Sequence, residues 1–380
     1  MAREPLVIAH DYLTQRGGAE RVVLALARAF AGAPIQTTLF EPGDTYPEFG
    51  DVEVRTTPLD RIALLRRHHR LALPLLAAAV QRTRIDADVV IASSSGWAHG
   101  FRTTGRKIVY CYSPARWLYQ PGAYLGQHAS RSTRLALAVL GPWLRRWDRR
   151  QARSADAYIA CSSVARDRVR AVYGIEAEVV HPPHSSGAGG SEHRPAGLSD
   201  TALDGAGGFD LCVSRLLPYK NVDAVVTAFA TLPHRLVVVG AGPEQARLRA
   251  MAPPNVVFLQ HLTDAEMRWL YARCASIVAA SFEDFGLIPV EAASFGKPSV
   301  ALRWGGFLDT IVEGVTGILF DEPTPTAIAD AMRRCRSMRW DAEAIRAHAA
   351  GFSEEAFLER LTAAIERATG ALPRASRGRP

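Results

Sequence analysis

The chain has 380 residues, 48% of them hydrophobic and 22% charged, with a formal net charge of +7. This length and apolar content suit two domains of ordinary size, each with its own core, and exclude a disordered or collagenous chain. No apolar run is long enough to cross a bilayer, and the start, MAREPLVIAHDYL, goes into a strand-like segment without the regions of a secretion signal, so a cytoplasmic protein is expected.

In chain order, PLVIA reads as a first strand, followed by IQTTLF, VEVRT, DVVIAS, KIVYCY and AYIACS, with helical patterns between them. Two of those patterns, RIALLRRHHRLALPLL (Arg61 to Leu76) and WLRRWDRRQAR (Trp143 to Arg153), mix arginine with Leu and Trp. That mixture suits either an anionic membrane surface or a solvated helix face whose apolar side is core. Nucleic acid is not expected, since no binding motif accompanies the charge. From Pro182 to Gly208 the chain is rich in Gly, Ser and Pro and reads as a linker or mobile loop.

The second half repeats the alternation with FDLCVS, RLVVVG, NVVFL, SIVAAS, PSVAL and GILF. Buried strands separated by helices imply parallel sheets covered on both faces, so the expected fold class is α/β with two doubly wound, Rossmann-like domains. The expected domains are residues 1–183, joined by a returning helix at 353–370, and residues 184–352, with a disordered tail at 371–380. That helix starts at a capping Ser353 followed by early glutamates. The five cysteines, Cys111, Cys161, Cys212, Cys274 and Cys335, form no CxxC pair and have no histidines at ligand spacing, so neither a structural metal nor a bound cofactor is expected.

In open α/β sheets ligands bind beyond the carboxyl ends of the strands, so the loops there deserve the closest reading. SFEDFGLIPVEAASFGKP (Ser281 to Pro298) follows the strand SIVAAS: Gly286 permits a tight turn, Pro289 suits a first helical turn, and Gly296 with Pro298 ends the helix. Glu283 then lies in the loop and Glu291 on the helix. The N–H groups of Gly286, Leu287 and Ile288 have no intrahelical acceptor and make an anion site. A phosphate between two carboxylates is tolerable if the carboxylates accept from hydroxyls, as a nucleotide sugar would provide. SRLLPYKN, after the strand FDLCVS, adds Arg215 and Lys220, two cations able to neutralise a diphosphate leaving group.

Here the chain resembles the retaining glycosyltransferases of family 4, also called group 1, which have the GT-B fold. SFEDFGLIPVEA resembles that family's E-x7-E signature, SRLLPYKN its S-R-x-x-x-x-K segment, VVVGAGPEQARL its G-x-G-P-E segment and RWGGFLDTIVEGVTGILF its G-G loop. In the first half HDYLTQRGGAERVV is similar to the family's amino-terminal glycine loop. The resemblance implies two Rossmann-like domains facing each other across a cleft, with the nucleotide sugar on the carboxyl-terminal domain and the acceptor on the amino-terminal one. It implies Arg215 and Lys220 on the donor diphosphate, Glu291 on the ribose, and Glu283 on the donor sugar as a catalytic residue. It also implies backbone approach to the phosphate at Gly17 and Gly18, and a catalytic histidine near the anomeric carbon, for which His99 in VVIASSSGWAHGF is the candidate. His10, Arg116, Asp284 and Phe285 complete the set expected around donor sugar or acceptor.

Three positions depart from the family pattern: Tyr112 stands where histidine is usual in YCYSPARW, Gln260 where glycine is usual, and Asp309 where glutamate is common. A dinucleotide reading of VVVGAGPE fails, because Gln245 occupies the third glycine position and no acidic residue follows at ribose distance. The resemblance extends to mannosyltransferases of polysaccharide assembly. It therefore implies transfer of a hexose, mannose from GDP-mannose, to a lipid-linked or glycan acceptor, with an anionic membrane surface as a further partner. A UDP-sugar donor and a membrane-associated nucleotide-sugar-binding protein without activity are the alternatives.

Overall fold

The computed structural model describes residues 3–67, 69–121, 131–184, 189–198 and 208–370. The chain divides into two compact units that part between Pro183 and His184 and again between Ser353 and Glu354.

The amino-terminal unit contains β1 (Glu4–His10), α1 (Gly18–Ala29), β2 (Ile35–Thr37), β3 (Val54–Arg55), α2 (Ala63–Arg67), α3 (His69–Arg82), β4 (Arg84–Ile85) and β5 (Ala87–Ser94). It continues with β6 (Arg102–Thr103), β7 (Arg106–Cys111), α4 (Arg116–Tyr119), α5 (Arg131–Ala152), β8 (Ala157–Ala160), α6 (Ser163–Tyr173) and β9 (Glu178–Val179). Seven strands form one sheet in the order β3-β2-β1-β5-β7-β8-β9, and every pairing is parallel. Val7, Ile8 and Ala9 of β1 and Val90, Ile91 and Ala92 of β5 are all buried. Helices on both faces explain why these strands read as continuous apolar runs. A separate two-strand ladder of β4 and β6 has no counterpart in the sequence reading, because two-residue strands carry no periodicity.

The carboxyl-terminal unit holds β10 (Phe209–Val213), α7 (Val222–Ala228), β11 (Arg235–Val239), α8 (Gln245–Met251), β12 (Val256–Leu259), α9 (Asp264–Arg273) and β13 (Ile277–Ala279). α10 (Leu287–Ser294), β14 (Ser299–Leu302), α11 (Phe307–Thr310), β15 (Gly317–Phe320), α12 (Pro325–Ser337) and α13 (Ala342–Ala350) follow. Its six strands run parallel in the order β12-β11-β10-β13-β14-β15. Val225, Phe229, Leu236, Val238, Val300, Ile318 and Met332 lie in its core. Local signals agree with this packing: Thr263 and Glu266 close a capping box on α9, and Thr324 caps α12 just before Pro325.

Helix α14 (Glu354–Thr369) belongs to the amino-terminal unit. Its Phe357 meets Tyr110 of β7 edge-on, with ring centroids 5.7 Å apart, and Arg28 of α1 pairs with Glu354.

The expected linker is corrected in part. Residues 189–198 are strapped along α9: Arg268 donates from Nε to the Ser191 carbonyl at 2.9 Å, and the His193 N–H to that of Ala265 at 3.1 Å. Arg273 also pairs with Glu192, and Leu198 is buried beside Phe209 and Leu259. Composition is blind to such backbone-mediated docking. The rest of that stretch, 185–188 and 199–207, and the tail expected to be disordered at 371–380 lie outside the described residues.

Candidate functional site

In each sheet the strand order reverses beside the first strand of the unit, between β1 and β5 and between β10 and β13. At such a switch point neighbouring loops diverge and leave a crevice at the strands' carboxyl ends. The motif residues gather at these two places.

In the carboxyl-terminal unit the chain leaves β10 through a 3-10 turn, Pro218–Lys220, with proline at its first position and Asn221, left-handed at φ 52°, at its end. Asn221 donates from Nδ2 to the Ala280 carbonyl at 2.8 Å, tying this loop to the end of β13. Lys220 is thereby placed against Glu283, and the two form an ion pair. Ser281 Oγ donates to the same Glu283 oxygen at 3.0 Å, and the Gly306 N–H to the Glu283 carbonyl at 3.0 Å. Burial alone would push the Glu283 carboxyl up, but the charge and hydrogen bond of Lys220, with help from Ser281 and Arg215, hold it below the usual carboxylate range. Arg215 is exposed and donates from Nη2 to Tyr219 Oη at 3.2 Å.

Gly286 caps α10 with φ 82°, and a Cβ there would also lie 2.6 Å from the Phe307 ring, so glycine is required on both counts. No side chain caps this helix. Leu287 and Ile288, both half-buried, form its first turn. Glu291 lies one turn in, where Tyr271 Oη of α9 donates to Glu291 Oε2 at 2.8 Å. The two carboxylates thus flank one helix N-terminus, each held by a different element. Asp284 is half-buried in the loop between them. The side chain of Phe285 is buried, its ring 6.0 Å from that of Phe352.

In the amino-terminal unit Gly17 caps α1 and Gly18 is its first residue. A Cβ at position 17 would lie 2.6 Å from the carboxylate end of the Glu20 side chain. Glu20 is 1% exposed and accepts from Gln15 Nε2 at 3.0 Å, with His10 Nε2 3.9 Å from the same oxygen. His10 Nδ1 lies 3.1 Å from Ser93 Oγ, which is 3.0 Å from Tyr112 Oη, and Tyr112 Oη donates to the Ala19 carbonyl at 3.1 Å. Because the tyrosine has one proton and spends it on Ala19, Ser93 donates to Tyr112 and His10 donates from Nδ1. Nε2 then faces a carboxylate, which favours imidazolium. Burial lowers the His10 pKa, but Glu20, Asp11 and the Ser93 carbonyl more than offset it and the net shift is upward. His10 thus lies buried beside the glycine loop, in contact with Ser93 and near Glu20.

His99 also lies in the interior of this unit. It is 2% exposed, with Nδ1 3.1 Å from Ser94 Oγ and Nε2 3.0 Å from Asp148 Oδ1, and its ring is beside Trp147. Its ring is thus enclosed by residues of the core. Arg116 opens the short helix α4, next to a Trp117 stacked on Trp97 at 5.1 Å.

The sequence reading missed four supporting residues. Glu20 belongs to a motif it noted without giving that residue a role, and Asn221 ends another. Asp11, which accepts backbone N–H bonds from Ser95, Trp97 and Ala98, adjoins a noted histidine. Tyr271 sits in a helix with no motif, and no sequence signal could have found it. Among the described residues no group of three or more His, Cys, Asp and Glu side chains could hold a metal ion.

Residues 16–184 match the family described as Glycosyltransferase Family 4, and residues 202–350 match Glycosyl transferases group 1. A D-inositol 3-phosphate glycosyltransferase from Acidothermus cellulolyticus is 33% identical over 238 residues, 53% of this chain and 51% of that protein. One of the same description from Mycobacterium tuberculosis is 31% identical over 176 residues, 42% of this chain and 37% of that protein. The chain thus spans about half the length or less of these relatives. Among solved structures, HepE of Anabaena in complex with UDP and glucose has a TM-score of 0.65 at 19% identity, covering 95% of this chain and 99% of that one. Sucrose-phosphate synthase of Thermosynechococcus elongatus has a TM-score of 0.65 at 18% identity, covering 97% and 100%. These likenesses establish the fold as that of GT-B glycosyltransferases.

Proposed function

We propose that this chain, whose two domains belong to the glycosyltransferase families of group 1 and family 4, transfers a sugar from a nucleoside diphosphate sugar to a hydroxyl of an acceptor. The observation that carries the reading is the arrangement at the β10/β13 switch point. There Lys220 and Glu283 are paired, and the uncapped start of α10 lies between Glu283 and Glu291.

In this reading the diphosphate lies over the N–H groups of Gly286, Leu287 and Ile288, next to Lys220 and Arg215. Glu283 accepts from the donor sugar and Glu291 from the ribose, and the resemblance adds the backbone at Gly17 and Gly18 as phosphate-binding positions. Reaction forms a bond from the acceptor oxygen to the anomeric carbon and breaks the bond from that carbon to the phosphate oxygen. The acceptor proton passes to the departing diphosphate, whose charge Lys220 and Arg215 stabilise. Attack from the leaving-group face retains the anomeric configuration and needs no protein nucleophile.

The sugar is read as a hexose, mannose from GDP-mannose. A UDP-sugar is the second reading, favoured by the fold likeness to a protein solved with UDP and glucose. The acceptor is read as lipid-linked or glycan, met by the amino-terminal domain around Arg116, with an anionic membrane surface beside α5.

Calorimetry with GDP and UDP, paired with transfer assays from a panel of GDP- and UDP-sugars to a membrane extract, tests both levels. Binding of one nucleoside diphosphate with a loss of about tenfold or more in Lys220→Ala is expected. Unchanged affinity in that variant removes the diphosphate assignment, and no transfer from any GDP-sugar ends the mannose reading.

A further inference from the structure

Helix α10, LIPVEAAS, carries one charged side chain, that of Glu291; around it Pro289, Val290, Ala292 and Ala293 are buried. A carboxylate among apolar and small residues costs free energy unless its environment serves it. Glu283 is held by a cation and a hydroxyl, and Glu291 accepts from the phenol of Tyr271 at 2.8 Å.

Tyr271 is itself fixed. It is 0% exposed, and its ring stacks on Phe295 with centroids 5.5 Å apart and an interplanar angle of 22°. Phe295 caps the end of α10. One aromatic side chain from α9 therefore grips α10 twice, at the carboxylate of its second turn and at the residue that caps its end. A buried phenol needs a hydrogen-bond partner, and this one has the only carboxylate that α10 offers.

We propose that Tyr271 is a positioning residue for nucleotide recognition: its hydroxyl sets the rotation of the Glu291 carboxylate so that it accepts from the ribose diol. This rests on the reading of Glu291 as the ribose-binding residue. A vicinal diol presents two O–H donors in a fixed geometry, and a carboxylate meets both only if its plane is oriented. A lysine partner would orient it equally well but would neutralise it and compete for its lone pairs. A phenol fixes one oxygen with a single proton and leaves the negative charge in place. Recognition of the diol is then decided on α9, away from any surface the nucleotide touches.

The test uses the full chain and whichever of GDP and UDP it binds more tightly, together with the 2′-deoxy and 3′-deoxy counterparts and inorganic pyrophosphate. The wild type is expected to prefer the ribonucleotide over the deoxynucleotides, and Tyr271→Phe to lose about five- to tenfold of that preference. Its affinities for the deoxynucleotides and for pyrophosphate are expected to stay at wild-type values, a pattern that general loosening of the site would not give. If the wild type shows no preference for ribose, the reading of Glu291 fails before Tyr271 is reached. If the wild type shows the preference and Tyr271→Phe keeps all of it, the inference about Tyr271 is overturned. Should the phenylalanine variant not fold, Tyr271→His, whose ring nitrogens stop short of the position of the phenol oxygen, is expected to lose the preference with pyrophosphate binding intact; a preference kept in full overturns the inference.

Discussion

Glu20 lies under the glycine loop with one carboxylate oxygen held by Gln15 and the other without a hydrogen-bond partner, while His10 approaches from below. The proton order through Ser93 and Tyr112 leaves His10 Nε2 facing Glu20, so the charged imidazole is the favoured form, with Asp11 adding to the negative surroundings. The folded-state pKa of His10 lies above its ordinary 6.5, so the pair's contribution is complete below that value and disappears as pH rises through the raised one. Glu20→Gln should therefore lower the unfolding free energy by about 2 kcal/mol near pH 6, with the gap closing under alkaline conditions. Urea unfolding of both proteins across pH measures this, and a gap that stays constant would remove the His10–Glu20 pair as its cause. At this scale the sequence was readable where a motif has chemical logic: Lys220, Glu283, Gly286 and Glu291 stand out because cation, carboxylate and helix start follow two strand ends. It did not disclose the surroundings of His99, because a histidine shortly after a strand looks the same whether it faces solvent or, as here, turns inward to Ser94 and Asp148.

Helix α5 shows how an element can carry two faces that composition merges. The sequence reading weighed the arginines and tryptophans of Trp143 to Arg153 together, but only geometry separates them: Trp147 and Leu144 are buried in the core, whereas Trp143 is 52% exposed. Leu135 at 67% and Val139 at 68% lie at intervals of four residues before it, and Leu140 at 38% adjoins them. Toward the end of the helix this apolar stripe gives way to exposed Arg146, Arg149 and Arg150. An apolar stripe with a cationic end fits a lipid surface, where Leu and Trp enter the interface and each arginine near anionic headgroups adds about 1 kcal/mol. No helix among the described residues is long and apolar enough to cross a membrane, so contact here would lie along the surface. Vesicles containing anionic lipid are expected to retain the protein at low salt and release it at high salt. Leu135→Ser combined with Trp143→Ser should reduce retention several-fold; equal binding to neutral vesicles, or retention unchanged by the substitutions, would exclude α5 as the contact.

The whole chain comprises two units, each with its own sheet and its own apolar core. The alternation of apolar runs and helical patterns disclosed that duplication, since each buried parallel strand must be bracketed by helices. Strand order was not readable: nothing in the apolar runs says that β13 pairs with β10 rather than with β12, and the switch point that gathers Lys220 and Glu283 depends on that choice. The partners described for the proposed nucleotide site, Asn221, Ser281, Gly306, Phe307 and Tyr271, all come from the carboxyl-terminal unit, which ends at Ser353, before α14 begins. Binding and transfer should therefore separate. A fragment of residues 184–353 is expected to unfold cooperatively and to bind the preferred nucleoside diphosphate within about tenfold, or ~1.4 kcal/mol, of the whole chain. It should transfer no sugar, because the proposed acceptor surface at Arg116 and the glycine loop at Gly17 are absent from it. Calorimetry on fragment and whole chain, with the Lys220→Ala fragment as control, makes the comparison; a cooperatively folded fragment that binds no nucleoside diphosphate, beside a whole chain that does, would show that the nucleotide site needs residues of the amino-terminal unit.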